Sequence, residues 1–426
     1  MSRFANILIG SSALTLGVLL STSALGETGD ELKARAKAAS EPPEVLSAAR
    51  ALRRGGLLVD AVNLLQRGFA KARGNDTVAE LRLELARTYL DQRQPKKALW
   101  ECDKLHKLAP RDEQICIAES ALYTRRGSIA LPAADAALAL SPGNYDALIA
   151  KGRSFSQMGQ TREAEAILRD AARAEPARSP AHRYLAELLL AQGKTTEGIA
   201  ALREARRIDA LDPEVLGLLG EALPIGAEAR AALEQAISIR PSHAHARARL
   251  GVVLAAAGEL DQAEKMLQEA ITAEPRQAEW HAALGEVEVA KKKPDEALKS
   301  ARAALKIVGN LGPAKLVEAK ALAQKGDIDL AIEAFEAAYG FSKQDPSAPI
   351  AAARACLKGA RLTTAKAFAD RATEDFPKSG EAWDVLGDVA VALKDTPLAK
   401  SAYAKALAGD GLLDKDAAKR KLAQLK

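Results

Sequence analysis

Small and apolar residues recur in phase along the chain, at intervals of about 34 residues. Laid over one another, 145–178 and 244–277 match Gly152 with Gly251, Gly159 with Gly258, Ala164 with Ala263, Ala171 with Ala270 and Pro176 with Pro275. Self-similarity at such a period marks a repeat array, in which each unit buries its apolar face on its neighbours. The frame places repeat starts near 42, 79, 111, 145, 179, 213, 244, 278, 312, 346 and 380, followed by a segment of helical period at 413–426. Near position 15 of the repeat, Gly56, Gly159, Gly193, Gly258 and Gly326 can take the left-handed conformation that ends a first helix. Pro110, Pro142, Pro176, Pro241, Pro275 and Pro377 stop a second helix or open the next. The pattern predicts eleven helix pairs.

Within each repeat the spacing is small, large, small at positions 8, 11 and 20, small at 27 and Pro at 32. Position 8 is Gly152, Gly220, Gly251, Gly285 and Gly387, with Ala at other repeats, as at Ala86 and Ala186. Position 20 is Ala61, Ala98, Ala130, Ala164, Ala263, Ala297, Ala331, Ala365 and Ala399, and Trp383 occupies position 4 of the last repeat. Small residues at 8 and 20 let two antiparallel helices approach closely. This pattern resembles the tetratricopeptide repeat (TPR) family over nearly all of the chain beyond residue 41. The resemblance implies an all-α fold, a right-handed α-solenoid of about eleven helix pairs over 42–412 with a C-terminal capping helix at 413–426. The 213 repeat is three residues short, at Leu223-Pro224-Ile225-Gly226. At position 32, Arg73, Ala210, Gly309, Lys343 and Gly411 replace Pro. Both departures bear on local curvature, not on the fold.

Composition narrows the function. The 426 residues are 48% hydrophobic but only 4% aromatic, so the apolar content is mostly Ala and Leu, both strong helix formers. A charged fraction of 27% with that apolar content excludes a disordered chain. Net charge is +5, far from the basic stripe of a nucleic-acid binder. The array leaves no stretch for a separate catalytic domain, and no HExxH, GxxxxGK[ST], GxSxG or GxGxxG motif is present. The expectation is a non-enzyme without catalytic residues, cofactor or metal. His243 and His245, two apart at a helix start, read as surface or loop histidines, and Asp410, Asp414 and Asp416 as a solvated helix cap rather than a calcium loop.

Residues 1–26 read as an export signal: Arg3 in a short n-region, an apolar stretch from Ile7 to Leu20, and small residues Ser21 to Gly26 at the cleavage region. The alternative, an uncleaved anchor, is short for a membrane span. Residues 27–41 are polar and meet Pro42-Pro43, which reads as a linker or frayed helix. The chain is expected to be exported and periplasmic, with no stable membrane span after signal removal.

Two of the three cysteines lie almost symmetrically about Pro110. Cys102 and Cys116 can therefore face each other on adjacent helices and form a disulfide in an oxidising compartment, if their Cα atoms approach within about 7 Å. The alternative is two small thiols in the array core. Cys356 has no sequence-local partner and reads as core.

The resemblance also implies that ligands bind the concave face, lined by positions 2, 5, 9, 12 and 13 of the first helix. Those positions supply Arg50, Arg53, Arg54 and Arg87, joined by Arg153 and Arg183. Glu187, Glu221, Glu279 and Glu286 follow, then Lys320, Arg354 and Lys358, then Glu381, Asp384 and Asp388. Apolar residues alternate with them, at Leu83, Leu90, Ile115, Leu122, Tyr123, Ile149, Val252, Val289 and Leu316, as suits an extended or helical peptide. Members that grip chaperone tails use Lys and Asn at positions 5 and 9. Here those positions are Leu83/Arg87, Ile149/Arg153 and Leu316/Lys320, which does not support such a clamp. Arg50, Arg53, Arg54 and Arg87 predict a basic patch for an acidic or phosphate-bearing ligand, unless Glu80, Glu84 and Glu101 neutralise them. The reading is a binding scaffold or adaptor of a bacterial cell envelope with a protein or peptide partner. The alternatives are an accessory protein of an envelope polysaccharide or protein export machine, and a regulatory subunit of an enzyme on another chain.

Overall fold

The computed structural model describes residues 27–411 and 413–425; the export segment 1–26 lies outside them. Among the described residues there are 24 α-helices and one isolated bridge, Ser379 with Asp410. Two compact units divide the chain, one up to Arg249 and one from Leu250.

In the first unit, α1 (Gly29–Ala38) precedes the pairs α2/α3 (Pro42–Arg54, Leu58–Gly68), α4/α5 (Asn75–Asp91, Pro95–Asp103) and α6/α7 (Pro110–Tyr123, Gly127–Leu140). Then come α8/α9 (Tyr145–Gln157, Thr161–Ala174), α10/α11 (Pro180–Ala191, Thr195–Ile208) and α12/α13 (Pro213–Ala222, Ala227–Ile239). Helix α14 (Ala244–Ala256) carries the boundary between units. The second unit continues with α15 (Leu260–Ala273), α16/α17 (Ala278–Ala290, Pro294–Ile307), α18/α19 (Gly312–Lys325, Ile328–Phe341), α20/α21 (Ser347–Lys358, Leu362–Asp375) and α22/α23 (Gly380–Ala392, Thr396–Ala408). It ends at α24 (Lys415–Gln424). The fold is an all-α solenoid of helix pairs.

Packing within a pair follows from residue size. A Cβ on Gly152 would lie 2.8 Å from Leu168 of the facing helix, and one on Gly251 would lie 2.7 Å from Leu267. Opposite these glycines, Ala164 and Ala263 at position 20 are fully buried. Ten of the eleven first helices end in the same way; the one in the 213 repeat ends at Leu223 in an extended conformation. Position 15 has positive φ in ten repeats, as glycine in five of them, while Arg93, Arg125, Lys292, Ala360 and Lys394 hold φ of 57–61° in the others. The next N–H then reaches back to the helix, as from Gln94 to Tyr89 O at 2.8 Å and from Gln160 to Phe155 O at 2.9 Å. This return bond satisfies a carbonyl that the helix end would otherwise orphan.

At the N-terminal end the chain takes the helical one of two alternatives. Residues 27–41, taken as a linker or frayed helix, contain α1. Thr28 and Glu31 form a reciprocal capping box, and Leu32 and Ala36, one helical turn apart, are buried with α2 in the first core cluster. Two buried apolar side chains and a satisfied N-terminus hold the segment as a helix despite its polarity. At the other end, Asp414 caps α24, Ala418 is buried, and Lys421 bonds Asp384 and Asp388 of α22. The last pair is thereby covered.

Candidate functional site

The inner faces of α2, α4, α6, α8 and α10 line a cavity of about 890 Å³ in the first unit. Its rim is completed by the segment from Ile208 to Glu214 and by Arg240. Arg50, Arg53, Arg54, Arg87, Arg153 and Arg183 all face this one cavity. Leu83, Leu90, Ile115, Tyr123 and Ile149 line it as well, whereas Leu122 turns into the core and is buried.

The arginines do not form an open basic patch. Arg50 and Arg53 reach Glu84 at 3.3 and 2.7 Å, and Arg53 also reaches Asp91 at 3.1 Å. Arg87 pairs with Glu119 at 2.6 Å and with Asp146 at 3.3 Å, and Asp146 also takes Arg178 at 2.7 Å. Arg183 pairs with Glu187 at 3.1 Å. Burial acts against the charges of Arg53 and Arg87, but their carboxylates more than offset it, and both stay more firmly protonated than an ordinary arginine. Burial likewise pushes the Asp146 carboxyl up, and Arg87 and Arg178 bring it below the usual range. Of the three neutralising acids weighed from the sequence, Glu84 takes that role. Glu101 instead holds Arg82 and Lys104, at 2.8 and 3.0 Å. Reversing Arg53 or Arg87 to Glu would therefore disrupt a buried ion network before it tested any ligand.

Glu84 was weighed from the sequence, Glu119 and Asp146 were missed, and all three lie about one repeat from an arginine they pair with. Glu84 follows Arg50 by 34 residues, Glu119 follows Arg87 by 32, and Arg178 follows Asp146 by 32. That offset was the available signal. A second feature had none. Arg54 Nη2 donates to Asp209 Oδ2 at 2.7 Å, across 155 residues, and Arg240 Nε donates to the Arg54 carbonyl at 2.8 Å, across 186. The first and sixth helix pairs thus meet, closing the unit around its cavity. Arg240 also pairs with Glu214, and His243 packs beside them, its Nε2 3.7 Å from Glu214 Oε2. The His243 side chain is only 10% exposed, so this residue, read as a surface or loop histidine, is a loop residue of the packed closure rather than a surface one. Its ring occupies the space that Gly217 leaves by lacking a Cβ. Burial holds the imidazole below its ordinary pKa, with Glu214 opposing.

Cys102 on α5 and Cys116 on α6 are joined by a disulfide, with Cα atoms 5.5 Å apart. It ties the second helix pair to the third beneath the cavity wall. Cys356 is buried without a partner, and burial pushes its thiol pKa up. In the second unit four of the expected inner charges are also paired, Glu286 with Lys320 at 2.7 Å and Asp384 and Asp388 with Lys421. Among the described residues no group of three or more His, Cys, Asp or Glu is placed to hold a metal, and no helix is long and apolar enough to cross a membrane.

These features define a class, an all-α repeat protein whose inner helix faces enclose a space in the size range of a ligand site. A family model described as tetratricopeptide repeat matches residues 129–183, 156–222, 226–287 and 322–389. The chain belongs to the tetratricopeptide repeat family, whose fold is generally a non-catalytic interaction scaffold for proteins and peptides. Among solved structures it is similar to a chain of the APC/C hetero-tetramer Cut9–Hcn1, at 16% identity and a TM-score of 0.56, over 82% of this chain and 76% of that one. Yeast Tom70 matches at 12% identity and a TM-score of 0.44, over 90% and 95%. A tetratricopeptide repeat protein from Parabacteroides merdae ATCC 43184 matches at 16% and 0.39, over 66% and 98%. No curated protein matches by sequence.

Proposed function

We propose that the protein is a non-catalytic binding scaffold, exported to a bacterial cell envelope, that receives a peptide or protein segment in the cavity of its first unit. The observation that carries this reading is the cavity of about 890 Å³ built from the inner faces of five successive first helices. Apolar side chains at Leu83, Leu90 and Ile149 alternate there with fixed charges, which suits a segment that presents both side-chain types. The ion pairs preorganise the walls, so a ligand meets charges already held in place. Export is supported by the Arg3 n-region, the apolar stretch and the small residues at 21–26. A disulfide between Cys102 and Cys116 suits an oxidising compartment.

Two measurements test this. A photo-crosslinking residue at Tyr123, which lines the cavity and is 39% exposed, is expected to capture a partner in envelope extracts. The same residue at Trp100, 60% exposed and away from the cavity lining, is not. Equal capture from both positions would defeat the cavity reading. Intact mass of the protein from its native host is expected to begin after Gly26; retention of Met1 to Gly26 would defeat cleavage of the export signal.

A further inference from the structure

One cavity arginine stands apart from the compensated network. Arg50, Arg53, Arg54, Arg87 and Arg183 each have a carboxylate within 3.3 Å. Among the described residues Arg153 forms no ion pair; its guanidinium carbon lies 4.4 Å from the centre of the Tyr184 ring. The one acid beside it, Glu187, is bonded to Arg183.

Arg153 and Tyr184 also border a side pocket of about 170 Å³, opening between α8, α9 and α10. Leu168, Leu188 and the Tyr184 ring, which Arg183 also covers at 4.2 Å, form its apolar walls, and Ser156, Gln157 and Glu187 its polar ones. At a liquid-water share of about 30 Å³ per molecule, the space holds roughly five or six waters, enough for one side chain and too little for a helix. An arginine stacked on a ring keeps its in-plane N–H groups free, and two of them can donate in parallel to one oxyanion. An apolar stem ending in an anion matches both halves of this pocket.

We propose that the pocket binds the oxyanion of a single ligand side chain, carboxylate or phosphate, on Arg153, with Tyr184 orienting the guanidinium and Leu168 and Leu188 covering the stem. This rests on the reading that the first unit holds a peptide segment, and it places the acidic group of that segment at the α8–α10 wall. The patch of Arg50, Arg53, Arg54 and Arg87 is already occupied by the protein's own carboxylates.

The test uses the full chain with ¹⁵N-labelled arginine, titrated with glutarate, orthophosphate or neutral glutaramide. The Nε–H signal of Arg153, assigned by its loss in Arg153→Gln, is expected to shift with one or both anions and not with glutaramide. The stronger anion identifies a carboxylate or a phosphorylated side chain. Arg153→Gln should melt close to the parent protein, because it breaks no ion pair and loses only the stack on Tyr184. It should weaken binding of the cross-linked partner about tenfold or more, as loss of a charge-assisted bond does. If that variant fails to fold, Arg153→Lys keeps the charge without the planar fork and is expected to fold and bind more weakly. Equal shifts at the exposed Arg173 and Arg207, or undiminished partner affinity in both variants, would overturn the proposal. Capture at Tyr123 that ignores Arg153 would sink this subsite alone. Anion binding at Arg153 without capture at Tyr123 would sink the peptide reading alone.

Discussion

Glu84 and Glu288 are both carboxylates on first helices, and both are almost fully buried, at 2% and 5% exposure. Their surroundings drive them in opposite directions. Burial pushes Glu84 up, but Arg53, Arg87 and Arg50 outweigh it and the carboxyl titrates below its ordinary range. Burial pushes Glu288 up as well; the Ser300 hydroxyl at 2.7 Å and, more weakly, Lys293 oppose it, Glu264 and Glu296 add repulsion, and the net shift is upward. The first unit thus carries charge inside, where it shapes a cavity. In the second, one pair of about the same one-repeat offset lies at the surface, Arg361 with Asp329 at 3.0 Å, their side chains 54% and 79% exposed. Equal offsets in the repeat do not give equal energetics, because solvent screens one set and not the other.

The largest expected effect comes from breaking the buried side of this comparison. Glu84→Gln leaves Arg53 with Asp91 as its remaining carboxylate and Arg50 facing a neutral amide, and a loss of about 1.5–3 kcal/mol is expected in a denaturant melt, the range for lost charge-assisted bonds. A loss below about 1 kcal/mol, the range of surface pairs, would mean that the network is solvated. The acid limb carries the same information. Glu84 and Asp146 have folded pKa values below their unfolded ones, so their contribution is present above about pH 4 and is lost as pH falls through the lowered folded values.

Packing provides the control. Ala98 in the first unit and Ala263 in the second share position 20, and both are fully buried. Replacing either with Leu should overpack its helix pair and cost about 1–3 kcal/mol. Similar losses would leave electrostatics as what separates the units, whereas a neutral result at Ala263 would count against the assigned repeat frame.

Glu288→Gln should move stability the other way. A carboxyl with a raised folded pKa favours folding only while it is protonated, and it opposes folding as pH rises above the unfolded value near 4.3. The amide is expected to raise stability at pH 7 by on the order of 1 kcal/mol while keeping an acceptor for Ser300. Near pH 3.5 parent and variant should converge. Destabilisation at pH 7 would remove the contrast with Glu84.

The smallest effect concerns the backbone, common to both units. Ala360 holds φ at +57°, where five other repeats place glycine. Ala360→Gly is expected to stabilise by about 0.5–1 kcal/mol, since relief of left-handed strain exceeds the added freedom of the unfolded chain. A lower melting temperature would show that the turn does not strain its side chain.

Local periodicity made most of the fold legible. Helix pairs, the contacts of Gly152 and Gly251, the left-handed turns and the capping helix depend on neighbours within about one repeat, so each is written in a short window of sequence. The sequence left 27–41 open between linker and frayed helix because Leu32 and Ala36 have their packing partners in α2, beyond the polar segment itself. At the site, the six inner arginines were visible as positions, and their acids were partly visible through the one-repeat offset. What tertiary structure alone decided is the closure of the first unit. Arg54 meets Asp209 only after small rotations accumulate over the intervening pairs, and no local pattern encodes their sum. That closure sets which residues share the cavity. It leaves Arg153, unlike the other five inner arginines, without an ion pair among the described residues, stacked on Tyr184 beside a small side pocket.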